Sequence, residues 1–302
     1  MVNLVDFEKK LQEKIRKADE IIRSYLPEPK GFSRKIIEAM NYSMTAGGKR
    51  IRPILMFESY QMFGGNKSVI EPFMAAIEMI HTQSLIHDDL PAIDNALYRR
   101  GRKTTHAVYG EAMGILSGDA LLNYAYETAM QALFYLDDTD RSIQAMQILA
   151  EKTGIYGMIG GQSVDVENEK NDKQVLDKEL LDYIYLNKTA TLLEIPLMIG
   201  AVLGGAGKKE ISCMEQIGTK VGLAFQIQDD ILDVTSTIEE LGKTIFSDEQ
   251  NYKTTYVTLL GTKEASRRVE SLTKDAVHLL EMLPGEKEFL SQLFLYLAFR
   301  KK

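Results

Sequence analysis

Two short segments group carboxylates in a way that suits divalent-metal chemistry. The first, LIHDDLPAID (85–94), sets Asp88, Asp89 and Asp94 in an otherwise apolar stretch. Acids grouped like this repel one another and lose hydration, so they need a compensating cation or a solvated surface. The second, FQIQDDILDV (225–234), places Gln226, Asp229, Asp230 and Asp233 at i, i+3, i+4 and i+7, one face of a helix. Either cluster alone reads as a solvated acidic face. Two clusters of nearly the same form, DDxxxxD and DDxxD, point further, because each falls in the C-terminal part of a helix, where the dipole disfavours acids. Something positive should compensate them. A ligand set of oxygen alone points to Mg²⁺, which keeps waters and bridges carboxylates to substrate phosphates. Cys213 is the only cysteine, which excludes a thiolate cluster and an internal disulfide and fits a reducing cytoplasm.

Basic residues lie close by in sequence. GGKRIRP (47–53) gathers Lys49, Arg50 and Arg52 ahead of Pro53, a favoured early helical residue, and a helix start with three cations is an anion site. RRGRK (99–103) follows the first acidic cluster; its arginines suit either surface ion pairs or a bidentate grip on diphosphate oxygens. Lys188 and Thr189 interrupt an apolar helical stretch, and Lys243 and Lys253 flank a long polar segment after the second cluster. LGKT (241–244) is not a P-loop, because the required upstream glycine position holds Thr237. Gly154, Gly157, Gly160 and Gly161 suit close helix packing better than a phosphate nest.

The elements that must carry these groups are helical. Leu4, Phe7, Leu11, Ile15, Ala18, Ile21 and Ile22 recur at spacings of three and four, apart from adjacent Ile21 and Ile22. The same periodicity predicts helices near 34–45, 53–63, 70–90, 111–135, 140–157, 176–188, 208–234, 264–282 and 286–299. LPEPKG (26–31) reads as a turn, and ENEKNDKQ (167–174) and the stretch 235–251 as polar connections. Without strand alternation or a shift in composition, the expectation is an all-α chain forming one helical bundle over residues 1–302. The composition, 45% apolar and 26% charged, is that of a globular domain, and the net charge of −7 argues against nucleic acid. Residues 1–25 lack the apolar core of a secretory signal. The apolar stretch 192–207 is short and contains Glu194 and Pro196, so no membrane span is expected.

Taken in order, GGKRIRP, DDLPAID with RRG, GQSVD, KT, QDDILD and GK…K make the chain resemble the trans-isoprenyl diphosphate synthases, the farnesyl and geranylgeranyl diphosphate synthase family. The resemblance runs from residue 47 to about 300. It implies an isoprenoid-synthase bundle around a central cavity, a polyprenyl synthase domain, and a cytoplasmic homodimer whose interface helices such as 111–135 supply. Asp88 and Asp94 resemble the Mg²⁺ ligands of the first motif, with Asp89 supporting. Asp229 resembles the main ligand of the second, with Asp230 and Asp233 ordering its waters. Arg99, Lys188, Thr189, Gln226, Lys243 and Lys253 resemble contacts of the allylic diphosphate. Lys49, Arg52, His81 and Arg100 resemble the isopentenyl diphosphate site. Gln162 and Asp165 fit a supporting role, and Arg300 resembles a residue that closes over the site. The implied reaction is metal-assisted loss of diphosphate from an allylic substrate, attack by the double bond of isopentenyl diphosphate, and loss of a proton to the released diphosphate.

The pattern departs from the family at Ala96 and Leu97, where two further acids are usual. These are not the usual direct ligands, so the activity is retained in this reading. In the family an aromatic residue five positions before the first aspartate limits product length; here that residue is Gln83, followed by Ser84. A smaller floor permits a geranylgeranyl product, whereas the form of the first motif suggests farnesyl diphosphate, which is the expectation taken. The rivals are a non-catalytic subunit of a heteromeric synthase, which would be expected to have lost acids or lysines, a terpene cyclase, and a di-iron bundle. The di-iron rival finds Glu78–His81 as ExxH, with only Asp275–His278 as a near second.

Overall fold

Phe7, Leu11, Ala18 and Ile22 recur every four or seven residues and are all buried. That stripe makes α1 (Leu4–Ser24) an amphipathic helix with a charged outer face. The same logic builds the rest of the chain. The computed structural model describes residues 4–135, 139–169, 177–235 and 254–300. The helices that follow are α2 (Arg34–Met44), α3 (Ile51–Met62), α4 (Glu71–Asp88), α5 (Thr105–Tyr109), α6 (Glu111–Met130), α7 (Thr139–Thr153) and α8 (Met158–Glu169). Then come α9 (Lys178–Ile184), a π-helical turn (Tyr185–Ala190), α10 (Thr191–Gly204), α11 (Lys208–Thr235), α12 (Tyr256–Leu260), α13 (Thr262–Glu281) and α14 (Glu288–Phe299). The only strands among the described residues are β1 (Tyr98–Arg99) and β2 (Arg102–Lys103), so the all-α expectation holds.

The chain divides into two compact units, residues 1–57 with 66–146, and residues 58–65 with 147–302. In the first, α4 is apolar on nearly every side and packs on α6, α1 and α2. The pair β1–β2 is a hairpin in register Tyr98↔Lys103 and Arg99↔Arg102. Its two turn residues, Arg100 and Gly101, both have positive φ (52° and 74°), the signature of a tight primed turn.

In the second unit α11 is the central helix, flanked by α10, α13, α14 and the π-turn. Lys152 of α7 donates to Glu194 of α10 and Glu215 of α11, both at 2.5 Å, and Thr219 donates to Glu194 at 2.6 Å. Lys178–Gly204 is long and apolar enough to cross a membrane by length and composition alone. However, 78% of its apolar window is buried within the protein, and it carries Lys188 and Glu194, so it is a core helix. Periodicity missed α8 and α10: one is rich in glycine, and the other is apolar all round and shows no stripe.

Candidate active site

Each unit carries one aspartate motif with its own cations. In the first unit α4 ends at Asp88, with Asp89 as its C-cap. Pro91 blocks continuation, and the chain turns back: Asp94 N–H donates to the Asp88 carbonyl at 2.9 Å, and Ala96 N–H to that of Asp89 at 3.1 Å. Asp88 and Asp94 are thereby held beside one another by backbone bonds, with Asp88 half-buried and Asp94 exposed. Asp89 is only 4% exposed and accepts from Arg99 Nε at 2.8 Å. Burial raises its carboxyl above the ordinary range, with Arg99 pulling the other way and Asp94 adding to the rise.

The arginines gather near α4. Arg100 donates to the Gly47 carbonyl, joining the hairpin to the GGKR loop. Burial lowers the Arg52 guanidinium to about 10, opposed by Glu78 and reinforced by Arg100. His81 is held well below the usual imidazole value, first by burial and then by Arg52, Arg100, Arg99 and Arg50. Arg52 Nε and His81 Nδ1 are buried atoms with no hydrogen-bond partner among the described residues, which suits a site awaiting an acceptor-rich ligand. Arg50 differs from the expectation that all three GGKRIRP cations form the anion site. Its side chain is buried and turned inward to Asp19, Glu78 and the Met44 carbonyl. Glu78 is thus bonded to an arginine, which removes the di-iron reading of ExxH.

Next to the hairpin an open pocket is lined by Tyr42, Ser43, Thr82, Asp89, Arg99 and Arg100, among others. Next to Thr82 on α4, Gln83 is buried and its Nε2 donates to His87 Nδ1 at 3.0 Å. That leaves His87 Nε2–H to donate to the Ile115 carbonyl of α6 at 3.2 Å. Gly118 is required there, because a Cβ would collide with the His87 ring.

In the second unit the motif occupies the last turns of α11. Asp229 is half-buried and accepts from Arg300 Nη2 at 2.6 Å. Arg300 itself is buried, stacks on Phe225 at 3.9 Å and donates to the Phe225 and Leu297 carbonyls. Asp230, 3% exposed, accepts from the Tyr185 hydroxyl at 2.7 Å, from Tyr256 N–H at 3.2 Å and from Gln226 Nε2 at 3.3 Å. Asp233 is buried as well. A solvated acidic face is therefore ruled out for Asp89, Asp230 and Asp233.

The π-turn carries Lys188 and Thr189, and π segments recur at functional sites. Lys188 pairs with Asp165 of GQSVD at 2.5 Å, and Thr189 donates to Gln226 Oε1 at 3.0 Å. Gly161, one turn before Asp165, is close-packed on the Lys188 backbone, which supports packing as the role of that glycine. Gln162 is half-buried on the same helix. Lys49 is exposed at the loop before α3. Lys243 and Lys253 lie outside the described residues.

Sequence reasoning missed Tyr185, Tyr256, Asp19 and the inward role of Arg50. A tyrosine at helical spacing looks like core, and Asp19 lies 31 residues from its arginine partner, so no local pattern marks either. Among the described residues no three acidic, histidine or cysteine side chains converge as a complete metal cage. Mg²⁺ takes one or two carboxylates and completes its shell with water and phosphate oxygens. At the end of α4 Asp88 and Asp94 could offer oxygen in this way, and at the end of α11 so could Asp229 beside its bond to Arg300.

The comparisons agree with this chemistry. Residues 33–282 match the model of the polyprenyl synthetase family. A dimethylallyltranstransferase of Fischerella ambigua is 41% identical over 286 residues, 95% of this chain and 80% of that protein. A geranylgeranyl diphosphate synthase of Cyanophora paradoxa is 42% identical over 82% of each chain. A heterodimeric geranylgeranyl pyrophosphate synthase large subunit of Arabidopsis thaliana is 43% identical over 86% of this chain and 68% of its own. Among solved structures, an FPP/GFPP synthase of Zymomonas mobilis superposes with a TM-score of 0.86 at 30% identity, covering 97% of this chain and 99% of that one. A geranyltransferase of Helicobacter pylori, complexed with magnesium and isoprenyl diphosphate, gives 0.81 at 31% identity over 96% and 95%. With the family model spanning most of the chain and both aspartate motifs set at helix ends among arginines, this protein is a short-chain trans-prenyltransferase of the polyprenyl synthetase family.

Proposed function

We propose that the enzyme makes geranylgeranyl diphosphate by adding isopentenyl diphosphate to a shorter allylic diphosphate. The observation that carries the choice of product is Gln83, buried at the position where an aromatic residue limits chain growth in the synthases this chain resembles. Its amide is tied back to His87, so it does not extend as an aromatic ring would. The geranylgeranyl synthases among its relatives support the same product, against the farnesyl product expected from the form of the first motif.

In this reading Asp88 and Asp94 of the first motif, and Asp229 of the second, would each hold Mg²⁺ with phosphate and water, and Asp89, Asp230 and Asp233 keep the motifs in shape. Bound Mg²⁺ supplies charge stabilisation for the departing diphosphate. Arg99, Lys188, Thr189 and Gln226, with Lys243 and Lys253, orient the allylic diphosphate and offset its charge. Lys49, Arg52 and Arg100 grip isopentenyl diphosphate, and His81 stays a neutral donor beside them. Burial of the surrounding helices excludes water, so the allylic cation is captured by the double bond. The released diphosphate takes the proton.

The enzyme works as a homodimer in the cytoplasm, a setting that the lone Cys213 suits. Exposed Ile115, Leu116 and Met130 of α6 and Ile143 of α7 support an interface on the first unit. Purified protein with Mg²⁺, farnesyl diphosphate and labelled isopentenyl diphosphate is expected to give a twenty-carbon alcohol after dephosphorylation and chromatography. Accumulation of a fifteen-carbon product from dimethylallyl diphosphate, with no further extension, overturns the geranylgeranyl reading. Gln83→Tyr is expected to shorten the product; an unchanged length removes Gln83 from the floor.

A further inference from the structure

We propose that Arg50 is a positioning residue for the isopentenyl diphosphate site, and that α1 takes part in that site through Asp19. The proposal rests on the assignment of Lys49, Arg52 and Arg100 to that substrate. Arg50 lies between Lys49 and Arg52, yet its side chain runs the other way. Nε and Nη2 donate to Asp19 Oδ1 at 3.0 and 2.8 Å, Nη1 to Glu78 Oε1 at 2.8 Å, and Nη2 to the Met44 carbonyl at 2.8 Å. Its guanidinium therefore pins the loop to α1, α2 and α4 at once.

The backbone explains why such a pin is needed. Gly47, Gly48 and Arg50 all have positive φ, at 85°, 142° and 48°, and a non-glycine residue there is disfavoured unless its surroundings hold it. The Arg50 carbonyl also accepts from Ile54 N–H at 3.1 Å, so the same residue starts α3. Turning Arg50 inward leaves Lys49 exposed and sets Arg52 in the first turn of α3, near His81 and Arg100. Arg100 closes the arrangement from the hairpin by donating to the Gly47 carbonyl. The φ of 142° at Gly48 favours glycine, and a Cβ there would also crowd the Arg100 guanidinium.

Charge supports the same assignment. Glu78 acts on Arg50, Arg52 and Arg100 together, and Asp19 is bonded to Arg23 as well as Arg50. Asp19 and Glu78 fix Arg50, and the cluster that remains, Lys49, Arg52 and Arg100, carries a positive charge suited to a diphosphate. Loss of either acid frees Arg50 to compete for the diphosphate or to shift the loop; both mis-set Lys49 and Arg52 relative to one substrate only.

The test is steady-state kinetics on the full-length protein, with each substrate varied in turn. Arg50→Lys and Asp19→Asn are each expected to raise KM for isopentenyl diphosphate by about tenfold, with less than a twofold change in KM for the allylic substrate. A loss of general structural integrity would move both constants and kcat together. Equal changes in both KM values, or no change, in variants with an unaltered helical signal overturn the proposal. Asp19 is partly exposed, so Asp19→Asn carries the test if Arg50→Lys does not fold. Arg52→Ala is the control. If it leaves KM for isopentenyl diphosphate unchanged, the site assignment itself has failed. If it raises that KM while Asp19→Asn and Arg50→Lys do not, the positioning role alone has failed.

Discussion

The two aspartate motifs share a plan and differ in how they neutralise it. In each, the first aspartate is half-buried at the last turns of a helix and the second is buried. In the first motif an arginine, Arg99, binds the buried second aspartate. In the second motif the donors to the buried Asp230 include the Tyr185 hydroxyl, Tyr256 N–H and Gln226, and the arginine, Arg300, sits on the first aspartate instead. Near-identical sequences therefore acquire different electrostatics from their surroundings.

This contrast can be broken or sharpened by substitution. Asp88→Ala and Asp229→Ala are expected to cut kcat the most, by roughly 100- to 1000-fold, if each supplies metal-borne stabilisation of the leaving diphosphate. Incorporation of labelled isopentenyl diphosphate, with circular dichroism unchanged, checks it; near-normal turnover in both removes their metal role.

Asp89→Asn and Asp230→Asn separate the second positions. Asp89→Asn leaves Arg99 without its counter-charge, whereas Asp230→Asn keeps an amide oxygen for the Tyr185 hydroxyl. Tyr185→Phe should cost about 1–2 kcal/mol in urea unfolding, and a Tyr185→Phe/Asp230→Asn double cycle should show coupling between the two sites. Additive effects would mean the buried carboxylate and the hydroxyl are not partners in solution.

Arg300 is expected to have a smaller effect. It shares Asp229 Oδ1, so Arg300→Gln should lower the Mg²⁺ concentration needed for half-maximal activity by a few-fold, since one competing cation is removed. A raised Mg²⁺ requirement would instead make Arg300 a support for the metal site.

The smallest effect concerns pH. His81 has its pKa held well below the ordinary value near 6.5, so the folded chain leaves it neutral where the unfolded chain binds a proton. Stability from this residue is therefore full above about pH 6.5 and falls as pH drops below it. His81→Gln should flatten the decline in Tm between pH 7 and pH 5; an equally steep decline would mean that other groups carry it.

Much of the site is legible in the sequence because local chemistry is written locally. Asp229, Asp230 and Asp233, spaced by three and four on one helix with Gln226, share a face whatever the fold, and the DDLPAID grouping of Asp88, Asp89 and Asp94 stands out in an apolar stretch, so both motifs are visible in the sequence alone. The stripe of Phe7, Leu11, Ala18 and Ile22 predicts α1 in the same way. α10 is harder to read, since a helix buried on all sides has no periodicity. The hairpin is also hidden: two strands of two residues give no alternation, and only the positive φ of Arg100 and Gly101 reveals it.

Sequence by itself determined the helical class, the acidic motifs and the basic residues that accompany them, because helix period and residue chemistry act over a few positions. Tertiary structure alone decided that Arg50 turns inward, that Asp230 rests against two tyrosines and that Glu78 answers an arginine. Those outcomes depend on which side chains distant in sequence are packed within hydrogen-bonding reach, and on the cost of leaving a buried charge without a partner.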